Sequence, residues 1–467
     1  MKVLLLTIDA WRASHASFVD GSDLGLRRTV AAGCELTPHL ASFARDGVAF
    51  SRAVAHGPAT PYAFPSLFTS TLPLDRGGYE RITADRTLLT EPLSDAGWTC
   101  TGVHSNPWLK AENGYGRGYE CYADVGEFSL PLLERGRNLL HDRFETDDRV
   151  FRAVQRIYRR VRTPLRFVAD AESEVDFAVG ALSSAGDHEF VWVHLLTPHA
   201  PYEPPPRHQH RVGIDHAVSD SQPLVRRAQR DPESLTSDEK RTVRRLYAAS
   251  VRHADEQIAA LLSSVDDETL AIVTADHGEA LFEHGQVGHE PALYDELLRV
   301  PLLIRPPGGT RARTNETLVR HADLAPTVLD YAGIEPPDSY EGRSLRPIVD
   351  GTDDRRTDDE SGIRPAIAEV ASRPGAPGRI DRTALQIVVR TADRKAYFDR
   401  GETRCFDLES DPRERRPVRD HPDSEWSELL SVLAARVNSI EETLAGEADA
   451  SYDESTERRL RDLGYLE

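Results

Sequence analysis

Unbroken aliphatic runs recur along this chain, and each stops abruptly at polar residues. Val3–Ile8 is the first, and it ends on Asp9. "EFVWVHLLTPHAPY" (189–202) and "TLAIVTADHGEA" (269–280) repeat the form, the second running straight into Asp276, His277 and Gly278. Continuous runs of this length predict strands buried on both faces, as parallel sheets use. Between them lie helical patterns. "TPHLASFARDGVAF" (37–50) predicts a helix opened by Thr-Pro and closed at Gly47, with a short strand after it. "PLSDAGWTCTGVHSN" (92–106) repeats helix, glycine turn and strand, and a helix near 237–264 opens with Thr236 and Glu239 at capping-box spacing. Strands alternating with helices predict an α/β fold, a large and mostly parallel sheet sandwiched by helices.

Other regions break the alternation. Residues 127–185 read as mainly helical, and "RVFRAVQRIYRRVR" (149–162) within them sets Val150, Val154, Ile157, Tyr158 and Val161 opposite a row of arginines. That pattern is a solvated helix face or a peripheral docking face for an anionic surface. Residues 204–235 read as a long irregular, lid-like loop. His208, His210 and His216 inside it read as surface histidines, because no strand or helix is evident to fix them as metal ligands. Past residue 352 a charged connector leads to antiparallel strands over 384–414, and 423–467 reads as amphipathic helix. The organisation expected is a main domain over 1–352 and a C-terminal subdomain over 353–467 with a small antiparallel sheet.

Charge changes the picture. The 467 residues carry a formal net charge of −20, and Lys2, Lys110, Lys240 and Lys395 are the only lysines. Such a surface suits high salt and excludes an electrostatic nucleic-acid binder. Cys34, Cys100, Cys121 and Cys405 lack CxxC spacing and read as small hydrophobes, not a disulfide framework or zinc knuckle. The apolar start "MKVLLLTIDAWR" is too short for a signal peptide, and no segment approaches membrane-spanning length. The expectation is a soluble cytoplasmic protein.

Asp9 and the pair Asp276–His277 each stand at the C-terminal end of a predicted buried strand, the edge where open parallel sheets build their sites. Taken singly, Asp9 is an ordinary helix cap and Asp276–His277 an ordinary turn. Together, two carboxylates and an imidazole would hold a divalent cation, the imidazole favouring Zn²⁺ or Mn²⁺ over Ca²⁺. Thr60, in "GPATPYAFPSLFTST" (57–71), is either a helix start before Pro61 or a nucleophile beside that cation.

The motifs also share an order. "TIDAWRASH", "TPHLASFARDGVAFSRAVAHGPATP", "LLTPHAPY", "TADHGE", "GHEPALYDELLRVPLLIRPPG", "HADLAPTVLDYAGIEPPDSYEGRSLRPIVDG" and "CFDLESDPRE" follow one another along nearly the whole chain. In that order they resemble the sulfatase-like branch of the alkaline phosphatase superfamily. The resemblance implies that Asp9, Asp276 and His277 are metal ligands, with Thr60 at the nucleophile position and also facing the metal. It implies that Asn106, His199 and His289 contact the substrate's oxyanion, with His199 and His289 taking part in catalysis. His289 takes a place where many relatives have Lys, and Arg12 orders the first loop. Thr197 replaces an Asp used by bimetallic relatives, so one metal is expected, with a second site through His199 or His289 as the alternative.

The resemblance fails at one point. Sulfatases oxidise a Cys or Ser within C/S-x-P-x-R to formylglycine, whereas the aligned stretch here is "TPYAF", with Thr60, Ala63 and Phe64 in place of Cys or Ser, Ser and Arg. A threonine β-carbon carries a methyl and cannot yield that aldehyde. Threonine is the nucleophile in relatives that transfer phosphoryl groups. The expectation is therefore a metal-dependent hydrolase or transferase of sulfuric or phosphoric esters, leaning to phosphoester or phosphodiester cleavage. Its substrate would be a small anionic ester, a glycan or a lipid headgroup. The alternatives are a sulfuric ester hydrolase working without formylglycine, and a non-catalytic relative that binds an anionic glycan or headgroup.

Overall fold

The computed structural model describes residues 1–19, 34–76, 78–79, 81–125, 171–184, 186–352, 364–371, 384–419 and 424–443. The helix expected over 149–162 and most of the 127–185 region lie outside these residues, as does the tail beyond 443. Eight strands form the main sheet: β1 (Lys2–Ile8), β2 (Val48–Val54), β3 (Thr99–His104), β4 (Cys121–Asp124), β5 (Glu189–Leu195), β6 (Thr269–Ala275), β9 (Arg299–Arg305) and β10 (Arg313–Arg320). A two-stranded ribbon, β7 (Ala280–Leu281) with β8 (Val287–Gly288), stands apart. The sheet order is β10-β2-β9-β6-β1-β5-β3-β4. All neighbours run parallel except β9, which is antiparallel to both β2 and β6. Every residue of β5, β6 and β9 is buried, as their aliphatic runs predict.

The expected capping box forms. Thr236 Oγ1 accepts from the Glu239 amide at 3.2 Å and Glu239 Oε2 accepts from the Thr236 amide at 2.9 Å, opening the Ser237–Gln257 helix. The stretch 204–235 is not the irregular loop its composition suggests. It folds into the helices Pro206–Arg211 and Gln222–Arg230 and the short turn Pro232–Ser234. Each begins with Pro in its first turn, where the missing N–H does no harm. His210 and His216 are exposed, but His208 is buried, which corrects its reading as a surface residue.

The second sheet is an antiparallel meander of β11 (Ala366–Ala371), β12 (Leu385–Arg390), β13 (Arg394–Asp399) and β14 (Glu402–Asp407). The Ser424–Thr443 helix lays Trp426, Leu429, Leu433, Val437 and Ile440 into its core. That core is shared with the main sheet through Val54, Tyr62, Leu74, Leu293 and Leu298. Tyr62 donates its hydroxyl to the Ala371 carbonyl at 2.7 Å, and the Glu369 amide donates to the His56 carbonyl at 2.9 Å. A buried ion cluster adds to this: Lys395 Nζ lies 2.9 Å from Asp295 and 2.6 Å from Glu414, and Arg390 reaches both Asp295 oxygens at 2.7 Å.

Candidate active site

The parallel strands deliver their polar ends to one edge. Asp9 follows β1, Asp276 and His277 follow β6, Asn106 comes two residues after β3, and His199 four residues after β5. After β2 the chain turns through Gly57, where a Cβ would meet Tyr62 Cβ at 2.2 Å, and enters the Thr60–Thr69 helix. Every residue of that helix is buried, and Thr60 stands in its first turn. The helix start expected at Thr60 is present, and the same residue faces the sheet edge. Gly278 allows the chain after His277 to pass the Glu296 carbonyl, which a Cβ would approach to 2.1 Å.

Asp9, Thr60, Asn106, Asp276 and His277 are wholly buried and converge. Thr60 Oγ1 donates to Asp276 Oδ2 at 2.9 Å and lies 3.5 Å from Asp9 Oδ2. Asn106 Nδ2 donates to Asp9 Oδ2 at 2.9 Å and comes within 3.3 Å of Thr60 Oγ1. The other Asp276 oxygen accepts from the amides of Ala10 (3.2 Å) and His277 (2.8 Å). Ala10 adopts φ +56° to make that contact, left-handed backbone that a non-glycine residue holds only when its surroundings enforce it.

The donor atoms of Asp9, Asp276 and His277 all lie within 4.8 Å of one another. His277 Nδ1 is 2.8 Å from the Gly278 carbonyl and must donate to it, so Nε2 carries a lone pair. That lone pair faces Asp9 Oδ1 and Asp276 Oδ2, each at 3.5 Å. Asp9 Oδ1 and His277 Nε2 are buried and make no hydrogen bond. Three acceptors facing one another in a dry pocket are repulsive unless a cation stands between them. The residues therefore fit a divalent metal. The acid–base behaviour agrees: burial, then the Asp276 carboxylate, pushes Asp9 up to about 8, and burial also raises Asp276. Burial and the neighbouring His289 hold His277 well below the usual histidine range, in the neutral, ligating form.

Two further imidazoles form the rim. The His289 ring lies 4.7 Å from that of His277 and 4.9 Å from that of His199. His199 Nδ1 donates to the Ala200 carbonyl at 2.6 Å. His289 Nδ1 pairs with Glu279 Oε2 at 2.9 Å, and Tyr202 donates its hydroxyl to Glu279 Oε1. Burial lowers His199. Burial also pulls on His289, but the Glu279 carboxylate outweighs it and leaves the imidazole raised. Asp9, Thr60, Asn106, His199, Asp276, His277 and His289, the site residues expected from the sequence, thus lie together.

Sequence reasoning missed Glu279, Tyr202 and His194. Glu279 and Tyr202 lie inside "TADHGE" and "TPHAPY", so the signal was present without a role to attach to it. His194 is concealed in the aliphatic run of β5; its Nε2 is 3.4 Å from Asp9 Oδ2 and its Nδ1 3.0 Å from Thr7 Oγ1. Arg12 is buried and ties the first loop to Glu283 at 3.0 Å, the ordering role expected of it. Phe64, where sulfatases carry Arg, is fully buried among Phe68, Tyr115, Trp192 and His194. A guanidinium there would be buried among rings. The departure from C/S-x-P-x-R is built into the core.

The sulfatase family model matches residues 2–334. An N-acetylglucosamine-6-O-sulfatase of Bacteroides thetaiotaomicron is 30% identical over 181 residues, which are 37% of this chain and 31% of that protein. The chain thus spans about a third of the length of that relative. The ulvan-active sulfatase of Formosa agariphila is 22% identical over 461 residues, covering 93% of this chain and 80% of the other. Among solved structures, a phosphonate monoester hydrolase of Agrobacterium radiobacter shares the fold with a TM-score of 0.67 and 20% identity, over 94% of this chain and 95% of the other. No helix among the described residues is long and apolar enough to cross a membrane.

Proposed function

Because the chain belongs to the sulfatase family of the alkaline phosphatase superfamily, and a threonine hydroxyl stands among its buried carboxylates, we propose that it is a metal-dependent ester hydrolase with Thr60 as nucleophile, acting on small phosphoric esters in preference to sulfuric ones. The observation that carries this reading is the 2.9 Å contact from Thr60 Oγ1 to Asp276 Oδ2, at a helix start where an anion is favoured. A divalent cation held by Asp9, Asp276 and His277, Zn²⁺ or Mn²⁺ for this donor set, would acidify the Thr60 hydroxyl and offset charge on the ester oxygens.

The chain's own groups supply the rest. Asp276 Oδ2 accepts the Thr60 proton's hydrogen bond and so aims an oxygen lone pair into the pocket. Attack forms the bond from Thr60 Oγ1 to phosphorus as its proton passes to Asp276 Oδ2 and the bond to the leaving oxygen breaks. His289, whose protonated form Glu279 favours, gives that oxygen its proton. Asn106 donates to an oxygen of the transferred group. Water then opens the threonyl ester at phosphorus, and Asp276 returns the proton to the departing Thr60 oxygen. His199 takes a proton from the water, since its Nδ1 is committed to Ala200 and its Nε2 accepts. A lone threonine hydroxyl offers no second oxygen on the same carbon to expel the bound group, so the ester must open at its central atom. Phosphorus accepts such in-line attack. Sulfuric esters are the second reading, favoured by the names of the sequence relatives.

The test is turnover of p-nitrophenyl phosphate, phenylphosphonate and sulfate in molar salt with Mn²⁺ or Zn²⁺, wild type beside Thr60→Ala. Phosphate or phosphonate turnover lost in Thr60→Ala is the expected result. Sulfate turnover that survives the substitution overturns the nucleophile. Stoichiometric metal with no turnover on any ester would leave a binding-only relative.

A further inference from the structure

The folded 204–235 stretch brings together a second set of metal-type donors, remote in sequence from the first. His208 lies on the Pro206–Arg211 helix, which packs against the Ser237–Gln257 helix. His253 and Glu256 stand three residues apart on the latter, so both project from one face of its last turns. We propose that His208, His253 and Glu256 form a second divalent-cation site, of the zinc or cobalt type, that fastens the 206–211 helix to the 237–257 helix.

The donor atoms of these three residues lie within 4.8 Å of one another. His208 Nε2 is already 2.8 Å from Glu256 Oε2, and the His208 and His253 ring centroids are 5.1 Å apart. In a tetrahedral site with bonds of about 2.0–2.2 Å, neighbouring donors are roughly 3.3–3.5 Å apart. Closing the set therefore needs His208 and Glu256 to part slightly from 2.8 Å and no donor pair to close by more than about 1.5 Å, movements that side-chain rotation supplies. Two imidazoles and one carboxylate favour Zn²⁺ or Co²⁺ over the oxygen-seeking Mg²⁺ and Ca²⁺. Three protein donors leave a position for water.

One neighbour competes. Arg207 Nε lies 3.1 Å from Glu256 Oε2, and its guanidinium would have to leave that oxygen to the cation. Arg207 is 62% exposed, so water takes over its hydrogen bonds. His208 has no such exit, being buried beneath the helix. The consequence reaches the active-site wall. The segment holding His208 begins just after Tyr202, whose hydroxyl meets Glu279, and ends at Ser221, whose hydroxyl donates back to the Tyr202 carbonyl at 2.6 Å. A cation at His208 would pin this segment. The proposal stands whether or not Thr60 is a nucleophile.

The experiment uses the full chain, stripped of metal, in molar KCl with excess Mg²⁺ to saturate the acidic surface. Co²⁺ is titrated by equilibrium dialysis and by its visible d–d absorption. Asp276→Asn silences the sheet-edge site. Wild type should bind two Co²⁺, Asp276→Asn one, and the double variant Asp276→Asn/His253→Ala none, its residual affinity at least tenfold weaker. His208→Gln, which can keep a hydrogen bond to Glu256, should lose the ion while retaining the fold by circular dichroism. One Co²⁺ per wild-type chain, displacement of the Asp276→Asn ion by Mg²⁺, or unchanged binding in His253→Ala and His208→Gln overturns the proposal and leaves a polar cluster around Arg207.

Discussion

The two donor clusters of this molecule are built in opposite ways. At the sheet edge each donor follows the end of a buried strand, and the backbone holds it. The Asp9 amide donates to Leu195 O at 2.9 Å, and Asp276 accepts from two amides. Between the helices, the Glu256 side chain is 47% exposed and is shared with Arg207. The first cluster is dry, and without a cation it must stay partly protonated, which is what an Asp9 pushed up to about 8 expresses. The second can rest as an ordinary salt bridge. A buried donor set needs a cation or a proton to offset its charge, whereas a half-exposed one can leave that to water and a salt bridge.

Substitution at each cluster tests that contrast. The largest effect is expected from Asp276→Asn, which should lower kcat/KM by about 10³-fold or more and remove one bound ion. The metal-free form of Asp276→Asn should melt no lower than metal-free wild type, because one buried charge has gone while its amide contacts remain. Glu256→Gln should change kcat/KM less than about threefold. Equal damage from the two would erase the distinction between the clusters.

Acid should come next, because the sheet-edge region is rich in buried neutral imidazole. Burial holds His56 at about 3, against 6.5 in the unfolded chain. Below pH 6.5 the unfolded chain therefore binds a proton that the fold refuses, and stability declines as pH falls toward 3. Asp323 works in the same direction: burial opposes its charge, but Arg320 and Arg364 outweigh this and hold it at about 2, against 3.8. Its contribution is full above pH 3.8 and is lost as pH falls through 2. Denaturant midpoints should drop steadily from pH 6.5 downward, with His56 alone contributing on the order of 3–5 kcal/mol. In the metal-free protein Asp9 works the other way, holding its proton from about pH 8 in the fold but only near 3.8 unfolded. The His56 loss is therefore read as the difference between wild type and His56→Gln, and an unchanged acid slope in that variant would contradict the burial.

Smaller effects sharpen the picture. Glu279→Gln should reduce kcat by about 10–100-fold while leaving the bound-ion count unchanged, since it loosens His289 without touching a ligand. A matching loss of metal would move Glu279 into the cation's support. Smallest of all, His253→Ala should lower the melting temperature of Zn²⁺-loaded protein by a few degrees and leave that of stripped protein alone.

The sheet-edge cluster was legible because a run such as Val3–Ile8 has no packing reason to end on a buried carboxylate. The conflict between an aliphatic strand and Asp9 is itself the signal. The antiparallel course of β9 was not legible, since "RVPLLIR" reads the same in either direction. Nor was β11, six residues long and set among charged stretches. The helix that buries His208 spans six residues and cannot show a helical period, and its partners lie 45 and 48 positions along the chain. Phe64 was seen as a departure, but only its ring neighbours explain why an arginine has no place there.

The Tyr62 hydroxyl bond to Ala371 carries a practical consequence. Two residues past the proposed nucleophile, the Thr60–Thr69 helix leans on a strand that begins beyond residue 334, where the family match ends. A fragment trimmed to that border would keep every cation donor at the sheet edge yet lose the buttress under Thr60. The smallest working unit of this protein is expected to reach past residue 334 into the second sheet, and a chain ended there should lose activity.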